Sequence, residues 1–391
     1  MNLTGEENLM KLSGKFFLML NLIKLLRKDY QTLNRIEVSK QNLLSNYKYL
    51  SSLNQKVKIA PVIKSDGYGH GIVEVAKILD PLRPPFFCVD SLYEAYELLK
   101  ATIKTPILIM GYTDPENLKV KKLPFSFALY DLDTAEVLNK YQSNCKVHIF
   151  VDTGMCREGV PVNELSKFLE QIRILFEIKI EGLMSHLASS NGKIDPLFQN
   201  QIKNFKKALQ IFKEYKIKTK WVHIGASGAI INPETRKIIS QISNLTRPGL
   251  ALYGLDDDLK LKPCLKLITH IAQIKKIKKG ESVGYNGTYK AKKDTLIGVL
   301  PIGYNDGVDR ELSNKGFVRL FDQFCPIVGR VSMNITTIDI SGINAKMGDE
   351  VMVYSDNLKD KNSIENTAKI CKKIPYEILV NLAESTKRIV I

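Results

Sequence analysis

Residues 58–71 (KIAPVIKSDGYGHG) combine residue types that suit chemistry on a bound molecule. The stretch opens as an apolar, β-branched run, typical of a buried strand, and this run stops at Lys64. A loop containing three glycines follows. An amine at the end of a buried strand, beside permissive backbone, is placed to work on a ligand. The same pattern fits an exposed lysine at a strand exit, so this stretch alone leaves both interpretations open.

The surrounding sequence alternates between strand-like and helix-like segments. Eight segments have strand character: 58–64, 86–90, 106–111, 125–131, 146–152, 178–186, 221–227 and 245–254. Helical patterns lie between them at 72–79, 91–100, 115–120, 134–141, 162–176, 196–215 and 233–242. This order predicts an α/β fold built on a parallel (β/α)8 barrel, although a doubly wound open sheet would also alternate.

A barrel would bring polar side chains from distant segments to one end. Active sites of such barrels lie at the carboxyl ends of the strands. Lys64 ends the first strand, Arg157 follows the fifth, His186 ends the sixth, Ser227 follows the seventh and Arg247 lies on the eighth. Each residue has a structural explanation on its own, such as an ion pair or a core histidine. Their joint placement predicts one site.

The chain after residue 254 changes character. Short β-rich segments separated by Gly and Asp turns predict a smaller, mostly β C-terminal domain with two helical stretches. The expected division is an N-terminal extension at 1–31, the barrel at 32–255 and the β-rich domain at 256–391. The strand at 32–38 is assigned to the barrel domain but could join the C-terminal one.

Composition narrows the function classes. The net charge of +16 comes mostly from lysines scattered along predicted helices, which favours a solvated basic surface over a nucleic-acid site. The six cysteines have no CxxC spacing, so neither a zinc site nor a disulfide framework is indicated, and a reducing cytoplasm is expected. The apolar run at 16–23 is too short to span a membrane and lacks a cleavage site, which favours an amphipathic extension helix.

Several motifs, in order, resemble the alanine racemase family. They are VIKSDGYGHG, VDTGMCREG, GLMSHLASS, RPGLALYG, ESVGYNGTY, VLPIGYNDG, GRVSMN and PYEIL, and the resemblance covers about residues 32–388. It implies a barrel with a β domain, pyridoxal 5'-phosphate as cofactor, no metal, and interconversion of L- and D-alanine for peptidoglycan synthesis. It also implies a homodimer with no membrane or nucleic-acid partner.

The resemblance assigns a role to each matching residue. Lys64 would hold the cofactor covalently, and Arg247 would face its pyridine nitrogen, which weakens the ring as an electron sink and favours simple return of the proton. The remaining cofactor-binding residues implied are His186 and the phosphate contacts Tyr68, Ser227, Gly249 and Tyr376.

Racemisation needs a base on each face of the substrate. By resemblance Lys64 serves D-alanine and Tyr285 serves L-alanine, with His186 bonded to Tyr285 and relaying to Arg247. Tyr285 would come from the partner subunit. The substrate-binding residues implied are Arg157, Tyr304 and Met333, the last two also from the partner.

Three departures from the family pattern concern rate and specificity. Phe150 stands where many relatives have a carbamylated lysine that holds the arginine at 157, so either another group orients Arg157 or its grip is looser. Asn334 replaces the usual aspartate, and Ser385 replaces a common arginine while Arg388 remains.

Other functions of the same fold stay open. A racemase for serine or another amino acid is poorly distinguished by sequence, although Tyr304 and Met333 suggest a narrow entrance. A non-catalytic pyridoxal-phosphate protein resembles the barrel half alone, so the β domain carrying Tyr285 argues against it. A related decarboxylase is expected to have an acid where Arg247 stands, and a catalytic cysteine.

Overall fold

Short parallel strands, most of them followed by a helix, fill the first two thirds of the protein in the computed structural model, which describes residues 32–189, 193–255, 258 and 260–391. The expected extension helix near residues 16–23 lies outside the described residues. In chain order the first ten strands are β1 (Arg35–Val38), β2 (Lys58–Ile59), β3 (Phe87–Val89), β4 (Ile107–Ile109), β5 (Ser126–Leu129), β6 (Cys145–Asp152), β7 (Val160–Pro161), β8 (Ile178–Met184), β9 (Trp221–His223) and β10 (Leu245–Thr246).

Eight of these strands form one parallel sheet that curls into a barrel. Their order is β2-β10-β9-β8-β6-β5-β4-β3. A parallel bridge between Val62 and Cys88 joins the two ends, with the Ile63 N–H donating to Cys88 O at 2.9 Å. The predicted (β/α)8 barrel is therefore confirmed.

The helices begin where the sequence supplies capping side chains. Ser91, Asp131 and Asp195 each accept a backbone N–H from the first turn of the helix that follows. The α-helices of the barrel half are Lys40–Ser52, Ile72–Leu79, Leu92–Lys100, Pro115–Val120, Leu132–Tyr141, Leu165–Ile172, Pro196–Glu214, Ser227–Ile231 and Pro233–Ile242, with 3-10 turns at Asp80–Leu82 and Leu250–Tyr253.

Seven of the eight predicted barrel strands are longer than the observed ones, and the first, seventh and eighth extend past the observed end by four residues or more. Regular pairing of the first barrel strand, β2, ends at Ile59, and an isolated bridge at Val62 follows it. The eighth ends at Thr246, and the prediction to residue 254 was wrong. Pro248 has no N–H to continue the ladder, and the chain turns so that the Leu252 N–H donates to Gly249 O at 2.9 Å.

Apolar side chains fill both the barrel interior and the layer beneath the helices. The interior cluster alternates along the strands, with contributions such as Val62, Cys88, Leu108, Phe150 and Met184. A larger cluster lies between the strands and the surrounding helices and continues into the C-terminal half. The strand ends that carry the site thus rest on a packed core.

The C-terminal third is mostly β. Its strands are β11 (Leu265–His270), β12 (Gln273–Ile277), β13 (Ser282–Val283), β14 (Tyr289–Lys290), β15 (Thr295–Leu300), β16 (Phe317–Leu320), β17 (Gln323–Pro326), β18 (Thr336–Asp339), β19 (Glu350–Tyr354) and β20 (Lys387–Val390). Two α-helices, Ile364–Cys371 and Pro375–Val380, and 3-10 turns at Tyr285–Gly287, Tyr304–Asp306 and Arg310–Leu312 complete it.

One sheet of this third also takes in the first strand of the chain. Its order is β17-β16-β19-β11-β1-β20, so β1 pairs with β11 and β20 and not with the barrel. The domain limits 32–255 and 256–391 remain a prediction. Within the described ranges, no helix is long and apolar enough to cross a membrane.

Candidate active site

A cavity of about 650 Å³ opens at the carboxyl ends of the barrel strands. The residues that line it include most of those expected at the site: Lys64, Tyr68, Arg157, His186, Ser227, Arg247, Gly249 and Tyr376. Tyr376 reaches the cavity from the helix Pro375–Val380 of the C-terminal third. The structure therefore brings Lys64, Arg157, His186, Ser227 and Arg247 together, as their placement on a barrel predicts. Tyr68, Gly249 and Tyr376, which the resemblance implies, lie at the same cavity.

The backbone after Lys64 follows a left-handed turn. Ser65, Asp66 and Tyr68 have φ of 54°, 53° and 53°, a conformation that costs a residue with a side chain about 1 kcal/mol or more. Arg388 holds the turn from the last strand, because its guanidinium lies 3.1 Å from the Asp66 carboxylate and donates to Gly69 O at 3.2 Å. This strained turn aims Lys64 and Tyr68 into the cavity.

Lys64 has an acidic neighbour that the sequence analysis missed. Its Nζ lies 2.8 Å from Oδ1 of Asp90, which follows β3 and also lines the cavity. The signal was available, since Asp90 ends a predicted strand next to the one that ends at Lys64. An acid at the end of a barrel strand belongs on the list of candidates for the same reason as a lysine.

Arg247 is buried, with only 3% of its surface exposed. Its guanidinium donates to Ser185 O at 2.6 Å, to His223 O at 3.1 Å and to Nδ1 of His223. It also lies 3.4 Å from Nδ1 of His186. Burial lowers the pKa of Arg247 to about 10, which still leaves it charged at neutral pH. The site therefore contains a permanent cation held by neutral acceptors.

His186 is neutral in this setting. Burial, together with the positive charges of Arg247 and Arg157, lowers the pKa of its imidazole to about 3. A neutral imidazole that faces a guanidinium with Nδ1 carries its proton on Nε2. The atom that His186 can offer to another group is thus a hydrogen-bond donor.

A line of two further imidazoles extends from Arg247 through the barrel interior. His223 accepts from Arg247 at Nδ1, so its proton is on Nε2, which lies 2.7 Å from Nδ1 of His148. Nε2 of His148 then points to Glu181, 3.8 Å away. Burial lowers the pKa of both histidines, and His148 with Lys146 lowers that of Glu181 to about 2.

This line of imidazoles was not predicted from the sequence. Its signal is the alternation within β6, which places His148 on the same face as Phe150, inside the barrel. The alternation identifies His148 as an interior residue only when the inward face of the strand is known.

A cluster of hydroxyl groups forms one end of the cavity. The Ser227 hydroxyl accepts N–H bonds from Gly249 and Ala251 at 3.1 and 3.2 Å. The Tyr68 ring lies against Tyr253, and burial raises the pKa of its phenol, which therefore stays a donor. A Cβ on Gly249 would lie 2.5 Å from the Tyr68 hydroxyl, so glycine is needed for this approach.

Arg157 lies on the loop after β6. The Asp152 carboxylate shapes this loop by accepting backbone N–H bonds from Gly154, at 2.9 Å, and from the residues that follow. Nε of Arg157 lies 3.2 Å from the Glu158 carboxylate, and both line the cavity. Phe150 is buried and stacks edge-on against Tyr130, so it offers Arg157 no charge or hydrogen bond.

Three of the expected residues lie elsewhere. Tyr285, Tyr304 and Met333 are 70%, 44% and 56% exposed and do not line the cavity of their own chain. Backbone hydrogen bonds join two of their loops, since the Tyr304 N–H donates to Ser332 O at 3.0 Å. All three are exposed on the C-terminal third. Within the described residues, no cluster of His, Cys, Asp or Glu could hold a metal ion.

Comparisons with known proteins cover nearly the whole chain. Family models described as the alanine racemase N-terminal and C-terminal domains match residues 38–257 and 264–390. An alanine racemase of Helicobacter pylori (strain Shi470) is 33% identical over 374 residues, 91% of this chain and 98% of that protein. A solved alanine racemase of Clostridium difficile 630 has a TM-score of 0.86 at 28% identity, covering 93% and 97% of the two chains. The Bartonella henselae alanine racemase with covalently bound pyridoxal phosphate has a TM-score of 0.80 at 26% identity, covering 92% and 100%.

Proposed function

This chain belongs to the alanine racemase family of isomerases, and on that premise we propose that it interconverts L- and D-alanine with pyridoxal 5'-phosphate and two opposed bases. The observation that carries the proposal is the convergence of the Lys64 amine, the Arg247 guanidinium and a cluster of hydroxyl groups on one cavity. We further propose that the D-alanine serves peptidoglycan synthesis. We also propose a cytoplasmic location, which the free thiols of all six cysteines support.

The residues of the cavity fit this cofactor. Lys64 supplies an amine for a covalent link, as in the Bartonella henselae enzyme that holds the cofactor covalently. The side chains of Tyr68, Ser227 and Tyr376, with the backbone at Gly249, would hold the phosphate. Arg247 would face the pyridine nitrogen, because a permanent cation can donate to that atom but cannot supply it with a proton. The cofactor, when bound, supplies the electron sink that acidifies the α-hydrogen of the substrate.

Proton transfer falls to two side chains on opposite faces of the substrate. The amine of Lys64 would take the α-proton of D-alanine, and the phenolate of the partner subunit's Tyr285 would take that of L-alanine. His186 supports the second role, since its Nε2 proton can stabilise a phenolate while its Nδ1 faces Arg247 at 3.4 Å. When one base removes the α-proton from its face of the substrate, the other base donates a proton to the opposite face.

The exposed group on the C-terminal third supports a shared site. Tyr285, Tyr304 and Met333 are solvent-accessible on loops outside the cavity of their own chain. A head-to-tail homodimer would place them at the cavity of a second copy, where Tyr304 and Met333 would narrow the entrance. Subunits related by a two-fold axis would then form two composite sites.

Arg157 would bind the substrate carboxylate and the phenolic oxygen of the cofactor. The cavity contains three cations, Lys64, Arg157 and Arg247, which suits a ligand that carries a phosphate and a carboxylate. Glu158 is a partner for Arg157 where Phe150 provides none.

A chiral assay tests the proposal directly. Purified protein is incubated with a panel of L-amino acids, with and without pyridoxal phosphate, and each product is resolved into enantiomers by chromatography. We expect D-alanine to form faster than any other D-amino acid, and only with the cofactor. Faster turnover of serine would replace the substrate assignment, and no racemisation at all would overturn the function.

A further inference from the structure

Among the described residues, the carboxylate of Asp90 has a single hydrogen-bond partner, which is Lys64. The distance from Nζ to Oδ1 is 2.8 Å, within the range of a charge-assisted hydrogen bond. The two residues follow neighbouring strands, joined by the bridge between Val62 and Cys88. Both line the cavity.

The backbone holds this pair in place. The carboxylate of Glu94 accepts the N–H of Ser65 at 2.5 Å and the N–H of Asp90 at 2.7 Å, so one side chain fixes the positions of both partners. On the other side, Asp90 O accepts the N–H of Gly111 at 3.0 Å. The Asp90 backbone therefore carries the structural contacts, which leaves its carboxylate available for the amine.

We propose that Asp90 is a positioning residue for the racemase reaction: it orients the Lys64 amine and balances the charge that this amine gains with each proton. This inference rests on the proposed role of Lys64 as cofactor anchor and base. In that role a neutral amine takes the α-proton and becomes an ammonium, and the carbon keeps the electron pair of the broken C–H bond. The α-proton goes to the amine and not to the Asp90 carboxylate.

The carboxylate of Asp90 acts on the Lys64 amine through its negative charge and its short distance from Nζ. A negative charge 2.8 Å from Nζ stabilises the ammonium over the neutral amine, although solvent reduces the effect because both side chains are partly exposed. The hydrogen bond also fixes the direction of Nζ, so the proton returns from a defined position. The other cations of the site have different surroundings, since Arg157 pairs with Glu158 and Arg247 with neutral acceptors.

The first test measures the amine itself. Asp90→Asn keeps the size and one acceptor oxygen, removes the charge and replaces the other oxygen with an NH2 group. Full-length protein without added cofactor is acylated with a trace amine reagent at fixed pH, and peptide mass spectrometry compares Lys64 with exposed lysines. Since only the neutral amine reacts, we expect Lys64 to react about fivefold faster in the variant. Asp133→Asn, an equal change on the exposed surface of the helix Leu132–Tyr141, should leave the rate unchanged.

The second test uses the holoenzyme and the position of the isotope. If the Lys64 step becomes slower in Asp90→Asn, the effect of α-deuteration on kcat/KM rises for D-alanine and falls for L-alanine. Asp90→Glu restores the charge, so it should return both isotope effects part of the way to their wild-type values. A general structural defect would not move the two isotope effects in opposite directions.

The outcomes separate the two levels of the proposal. If borohydride fails to trap the cofactor on Lys64 in the wild-type protein, the proposed function is wrong. If Lys64 is trapped but Asp90→Asn changes neither the acylation rate nor the isotope effects, the role of Asp90 is wrong and the function stands.

Discussion

Lys64→Ala and Tyr285→Phe each remove one proposed base, and a heterodimer of the two variants reports which chain supplies Tyr285. Tyr285 is 70% exposed and lies outside the cavity of its own chain. If it acts in the partner, the heterodimer has one site with both bases intact and one site with neither. We expect about half the activity of the wild-type protein, because the proposed two-fold dimer has two sites.

The homodimers set the baseline for this comparison. Removing a general acid–base group typically costs about 10²–10⁴-fold in rate, so each variant alone should be nearly inactive. The heterodimer is obtained by coexpressing the variants with two different affinity tags and purifying on both in turn. Activity is measured as D-alanine formed from L-alanine, resolved by chiral chromatography.

A second heterodimer is the matched control, because the shared and single-chain arrangements predict the opposite activities for it. When wild-type chain is paired with a chain carrying both Lys64→Ala and Tyr285→Phe, a shared arrangement leaves no intact site, whereas a site within one chain leaves one. An inactive first heterodimer together with a half-active second one would refute the shared site. The reverse pair of results supports it.

Lys64→Ala and Gly249→Ala test the cofactor site further, and His70→Gln tests a buried histidine whose Nδ1 lies 2.9 Å from Tyr68 O. Lys64→Ala should abolish the visible absorption of bound pyridoxal phosphate, and a retained band would overturn the anchor assignment. Gly249→Ala puts a Cβ 2.5 Å from the Tyr68 hydroxyl and should weaken cofactor binding about tenfold in a fluorescence titration. Unchanged affinity would contradict the proposed phosphate-binding role of Tyr68 and Gly249. Burial lowers the pKa of His70 to about 4, so protonation of His70 alone should lower the free energy of unfolding by about 3 kcal/mol as the pH drops from about 6.5 to 4, in addition to the loss from the other buried histidines. In urea unfolding, His70→Gln should lack this part of the acid loss, and parallel pH curves would show that His70 does not cause it.

The sequence predicts the barrel because its signals are local. The helices at 72–79, 115–120 and 233–242 begin and end where predicted, since apolar spacing, capping residues and prolines act within a few positions. Lys64 and Arg247 were found in the same way, as chemical groups at or near strand ends. The eighth strand was overextended because the prediction did not weigh two local signals, the missing N–H of Pro248 and the turn in which the Leu252 N–H donates to Gly249 O.

What the sequence does not reveal are contacts between segments. The pairing of Lys64 with Asp90 requires two strand ends to be neighbours, and the strained turn after Lys64 requires Arg388, more than 300 residues away. The inward face of β6 had to be known before His148 became a candidate. The proposed contribution of Tyr285 involves a second chain, which no spacing within one sequence can show.

The three cations of the cavity differ in how each charge is compensated, and the differences match the proposed roles. Lys64 must alternate between charged and neutral forms, and a carboxylate lies 2.8 Å from its nitrogen to stabilise the charged form. Arg247 must stay charged, and its neighbours are carbonyl oxygens and neutral imidazoles, which accept hydrogen bonds but are poor acceptors of its proton. Arg157 faces solvent and pairs with Glu158, so its ion pair is weak and can yield to a substrate carboxylate. Carboxylates thus lie beside the group that transfers protons and beside the exposed Arg157, whereas the buried Arg247 has only neutral acceptors.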